Sequence, residues 1–227
     1  MQFSAKLKAI SITGGITFAI ALSLSIIQPP KPADKNPEGF RTPIVALELA
    51  ESPAEISGIV GVAGSENEKL FRARFLRGIY LDYAFMIFYG SFLFICIITS
   101  NMHKTNILYF AIFTSVLCVL SDAFENIQLI KVLRNHDDLE ALNSLRFFTL
   151  VKWLILSVIS YAIAYGLSRT FRDKIGFILF LVPSLAGFAI LFERAAVEVQ
   201  GLGLAVAWLY FFIRSLPTRF QFKTRET

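Results

Sequence analysis

Three acids, an amide and a lysine, all set in greasy surroundings, are the residues of this chain with types and spacing suited to chemistry. In SDAFENIQLIKVLRN, residues 121–135, Asp122, Glu125 and Asn126 sit at i, i+3 and i+4, which places them on one face of a helix. Asp82, in YLDYAF, shares a helical face with Phe85, Met86 and Tyr89, so that a carboxylate and a phenol line one side. Further along, Arg146, Thr149 and Lys152 recur every three residues and point broadly one way. Buried charges tend to be paired, so Lys152 or Arg146 is expected opposite the acids.

Such a group can work as general acid, base or oxyanion partner, because crowded carboxylates retain a proton on one of their number. It can also bind a cation. The plainer account is an ion-pair network that fixes helix register, with neither ligand nor reaction. A catalytic metal would call for histidines or a dense carboxylate set in a pattern such as HExxH, and the chain has only two histidines. His103, in SNMHKTN, belongs on the side opposite the acids, and His136, in RNHDDLE, reads as a solvated loop residue. There is no GxSxG elbow to make a nucleophile of a serine. Neither a cofactor nor a metal is expected. Arg72, Arg74 and Arg77 are suited to bidentate contacts with phosphate groups of lipids or of an anionic substrate. Alternatively they anchor the chain at the membrane interface or pair with Glu48 and Glu51.

The elements that must hold these residues are membrane spans. Of the 227 residues 55% are hydrophobic and 23 are Phe, and a mean hydropathy of +0.60 is too apolar for a soluble domain of this size. A helix needs about 20 apolar residues to cross a hydrocarbon core roughly 30 Å thick. By that measure the sequence predicts an all-α, polytopic integral membrane helix bundle of six transmembrane helices, with five as the alternative. The runs are Ala9 to Ile27, Ile79 to Thr99, Asn106 to Leu133, Leu145 to Leu167, Ile175 to Phe192 and a short last one from Gly201. Residues 1–28 are read as an uncleaved anchor helix, because QPPKPADKNPEG behind it lacks an A-x-A-like cleavage site. Residues 29–78 form an extramembrane linker and cap-like loop, residues 79–216 the bundle, and residues 217–227 a basic tail.

Within the long loop, Thr42-Pro43 opens a short helix through IVALELA, and SPAE and SENE, at 52–55 and 65–68, have the S-x-x-E form of a capping box. These segments are expected as amphipathic helices at the membrane interface, with Ile44, Leu47, Ile56, Ile59 and Val60 on the greasy side. Lys6 and Lys8, the RTFRDK loop and the RFQFKTR tail predict cytoplasmic N- and C-termini in a bacterial-type inner or plasma membrane. On any orientation, helix parity sets Asp82, the Asp122 group, Arg146 and Lys152 toward one membrane face.

The net charge of +5 comes with no basic groove or stacking motif, which argues against a nucleic-acid partner. Membrane lipids are the expected partners. So are other membrane proteins, through small-residue faces such as Ser11, Gly15, Ala19 and Ser23 of the first helix. Neither the helix order nor the LDYAFMIFYG and SDAFENIQL segments point to a named family. The first functional reading is a non-catalytic accessory, binding or assembly protein. The second is a membrane-embedded enzyme acting on a lipid or isoprenoid-type substrate, and the third a proton or cation carrier.

Overall fold

A computed structural model describes residues 3–101, 106–171 and 173–216. His103, Arg172 of the RTFRDK loop and the basic tail lie outside the described residues. Those that are described form eight α-helices: α1 Phe3–Ile27, α2 Pro43–Glu48, α3 Pro53–Val60, α4 Glu66–Ser100, α5 Ile107–Arg134, α6 Leu139–Gly166, α7 Lys174–Ala189 and α8 Ala196–Ser215. A π-helical turn, Leu167–Phe171, follows α6.

Five helices, α1, α4, α5, α6 and α8, are long and apolar enough to cross a membrane. The protein is an all-α, membrane-spanning helix bundle. The fifth expected span corresponds to α7, which at 16 residues rises about 24 Å, short of a roughly 30 Å core. It packs against α8. There the ring of Pro183 lies against Gly203, whose added Cβ would stand 3.2 Å from the Pro183 Cβ.

Several boundaries differ from the apolar runs for local reasons. The charged stretch after Phe192 is already helical from Ala196, because Glu198 in the first turn favours the positive helix end. α6 starts six residues ahead of its apolar run, since Asp138 Oδ1 accepts the Ala141 amide at 2.9 Å. α4 begins at Glu66, where the Ser65 hydroxyl accepts the Glu68 amide at 3.1 Å. The helix runs unbroken for 35 residues, about 52 Å.

The polarity of α5 is inverted relative to a soluble helix. Tyr109, Phe113, Val116, Leu120, Phe124 and Ile127 are exposed along one side, whereas Asp122, Glu125 and Asn126 are buried. This arrangement is stable only where the surroundings are themselves apolar.

The chain divides into two compact units. One comprises residues up to Phe18, Ile87–Val119 and those from Trp153 on. Its interior is aromatic: Trp208 stacks on Tyr89 with ring centroids 6.1 Å apart and meets the edge of Phe92 at 5.8 Å. Cys96 and Cys118 are both buried there, with no disulfide between them.

The other unit comprises Ala19–Met86 and Leu120–Lys152, and it contains the whole first loop. Here the Pro-rich linker is held in place: the Ala33 amide donates to the Ile59 carbonyl at 2.8 Å and that of Asp34 to the Gly58 carbonyl at 3.0 Å. Leu47, Ile56, Ile59 and Val60 are fully buried, so the apolar sides of α2 and α3 are spent on protein. Ser52 caps α3 by accepting the Glu55 amide at 3.3 Å, as its sequence pattern predicts.

Candidate functional site

The ionisable residues of the second unit converge on Lys152. This lysine follows Thr149 on the inner face of α6 and is 8% exposed. Its ammonium lies 2.6 Å from Glu125 Oε1 and 3.2 Å from Asp122 Oδ1, both of which α5 presents from one face. A third carboxylate arrives from outside the spans: Glu48, the last residue of α2, places Oε2 3.7 Å from the same ammonium. Asn126 extends the set by donating from Nδ2 to Asp82 Oδ2 at 2.7 Å, which ties α5 to α4. Four helices therefore meet at one polar centre, and α2 belongs to the extramembrane loop.

The sequence-expected group is brought together in most of its members: Asp82, Asp122, Glu125, Asn126 and Lys152. Tyr89 is placed differently. It belongs to the first unit, where its hydroxyl lies 3.7 Å from Cys118 Sγ. Arg146 does not join the acids either, but binds Glu51 Oε1 at 2.7 Å at a half-exposed position. Glu48 and Glu51 thus take their bases from α6 rather than from the arginines of α4. Of those arginines, Arg72 bridges Glu68 at 3.3 Å, while Arg74 and Arg77 are exposed.

Glu48 is the member that sequence reasoning missed. Its only signal was an acid inside IVALELA, an otherwise apolar short helix. Burial holds its carboxyl above the ordinary carboxylate value. Lys152 opposes that shift, and Asp122 and Asp82 reinforce it. His136 was also misjudged, since it is 8% exposed rather than solvated. Its imidazole is lowered below its usual value by burial, against the pull of Glu68 and Asp137 and with the push of Arg72.

The balance of charge defines what the centre can do. Glu48, Asp122 and Glu125 face a single ammonium, and Asp82 adds a fourth carboxylate through Asn126, so full ionisation would leave the acids in excess in a medium that penalises unpaired charge. Among the described residues no group of His, Cys, Asp and Glu is arranged to hold a metal ion. The ammonium of Lys152 occupies the position between the carboxylates that a cation would take. Oε2 of Glu125 and the hydroxyl of Thr149 are buried without a hydrogen-bond partner among the described residues. A cavity of about 370 Å³ beside Asn101, Phe110 and Tyr165 and one of about 510 Å³ beside Lys35, Ser57 and Asn67 are both lined by other residues.

Comparison of the chain with protein-family models, curated proteins and solved structures returned no match.

Proposed function

We propose that this membrane-spanning protein is a non-catalytic accessory or assembly component whose acid–lysine centre clamps its extramembrane loop to its transmembrane helices. The observation that carries this reading is the engagement of Lys152: one ammonium meets three carboxylates supplied by α2 and α5. Two of its three N–H groups are already donated to Asp122 and Glu125, which argues for a structural use of the lysine over substrate chemistry. The exposed Ala19 and Ser23 of α1 give a partner helix a close approach. Lys6, Lys8, Arg169 and Lys174 support a cytoplasmic N-terminus in a bacterial-type inner or plasma membrane.

The test replaces Asp122 by Asn and Glu125 by Gln. The clamp reading expects a lower unfolding midpoint in detergent and weaker retention of co-purifying membrane proteins. A variant that keeps its midpoint and its partners would count against it.

One observation favours a second reading, that of a proton carrier: the excess of carboxylates over lysine, which the centre can offset by holding protons. That reading requires proton flux in proteoliposomes that disappears in the same two variants.

A further inference from the structure

α4 enters the membrane with two guanidinium groups that no described residue engages. Lys69 is paired with Glu66 at 2.8 Å and Arg72 with Glu68 at 3.3 Å. Arg74 and Arg77 are exposed, and among the described residues no ion pair or hydrogen bond engages either. Three residues apart, they stand one above the other on the helix surface, about 5 to 6 Å between Cβ atoms.

Leu70, 67% exposed, stands one turn above Arg74, and Tyr80, 72% exposed, lies one turn below Arg77. α4 ends at Ser100, and about 20 residues are needed to cross the hydrocarbon, so the crossing segment begins near Tyr80. Tyr80 and Tyr83 then occupy the level at which membrane proteins concentrate interfacial tyrosine. Arg77 and Arg74 rise about 4.5 and 9 Å above Tyr80, which is the layer of lipid phosphates.

We infer that Arg74 and Arg77 form a headgroup site for an anionic phospholipid on the outer face of α4. The two forks match the two non-bridging oxygens of a phosphodiester in charge and geometry. Tyr80, one turn below Arg77, meets the glycerol region and upper acyl chains, with its phenol edge for hydrogen bonding and its ring face for packing. A lipid is the occupant, rather than a free anion, because Arg77 stands one turn above the exposed ring of Tyr80 at the membrane interface.

The experiment uses the full chain in nanodiscs of phosphatidylglycerol and phosphatidylcholine, ejected and read by native mass spectrometry. Wild-type protein should retain phosphatidylglycerol in preference to phosphatidylcholine. Arg74→Gln with Arg77→Gln should weaken that retention roughly ten- to thirtyfold, whereas Lys69→Gln should change it by less than about twofold. Retention unchanged in the double variant, or no preference in the wild type, would overturn the site. So would equal displacement of the lipid by inorganic phosphate at about millimolar concentration, which would identify a free-anion site. The wild-type preference is read without any substitution, so the proposal stays testable even if the double variant does not fold.

Discussion

Lys152 is the residue whose loss should cost the protein most. Removing one partner of a buried ionic group leaves uncompensated charge and typically costs about 3 to 5 kcal/mol. Lys152→Met is therefore expected to deplete folded protein in size-exclusion chromatography, and adding Asp122→Asn and Glu125→Gln should restore much of it. No recovery in the triple variant would mean that the lysine acts through something other than charge. Glu48 gives the centre a pH dependence of definite sign. Its folded-state carboxyl is raised above the ordinary 4.5, so the folded form holds the proton more tightly. Stability then falls as pH rises from about 4.5 toward the raised value, by proton linkage. Thermal unfolding followed across that range should show the decline, and Glu48→Gln should flatten it. The sequence displayed Asp122, Glu125 and Asn126 as one helical face because spacing alone fixes that. It could not show whether Lys152 or Arg146 would meet them, since that depends on which of two bases, six residues apart, α5 passes.

At the scale of elements, close approach depends on small residues in places that sequence periodicity did not single out. The strict four-residue stripe of α1 is only partly used: Ser11 Oγ meets Ser215 Oγ at 2.9 Å, but Ala19 and Ser23 are exposed. The tighter fit is at Gly14, off the stripe, where an added Cβ would lie 3.0 Å from the rings of Phe92 and Phe212. Gly187 of α7 is closer still to its neighbours. A Cβ there would collide with Ser157 Oγ and stand 2.5 Å from Gln200 Nε2, and the Gln200 amide is itself held to the Trp153 carbonyl at 2.9 Å. Gly187→Ala is expected to destabilise the protein by about 1 to 3 kcal/mol through overpacking. Gly15→Ala, with its nearest atom at 3.7 Å, should leave the unfolding midpoint nearly unchanged; equal effects would refute this account of the contacts. The loop helices show where periodicity stops being informative. An amphipathic pattern reveals that Leu47, Ile56 and Ile59 need an apolar neighbour but not whether lipid or protein supplies it, and here it is protein.

At the scale of the whole molecule, the five long spans were legible because twenty apolar residues in a row have few other uses. The contribution of α2 to the polar centre was not, because it joins residues about a hundred positions apart in the chain. Within the second unit, the Asp82–Asn126 and Lys152–Asp122 contacts set the start of α4, the end of α5 and the start of α6 at one membrane face. Cysteines introduced at Asn67 and Asn135 should then be labelled by an impermeant maleimide from the same side of sealed vesicles. The native Cys96 and Cys118, buried in the protein, should stay unlabelled. Labelling of the two introduced sites from opposite sides would overturn the arrangement.

The reach of Glu48 to Lys152 also bears on how the protein is made. Translation proceeds at about 5 to 20 residues per second, so the acid of α2 leaves the ribosome roughly 5 to 20 s before its lysine. Asp122 and Glu125 likewise enter the bilayer ahead of the base that neutralises them. Until α6 arrives, a newborn chain has to keep these carboxyls protonated or facing water, and only the arrival of Lys152 lets the loop settle. Lys152 is thus the last charge of this centre to emerge, and the loop and α5 can lock in place only once the chain has been made that far.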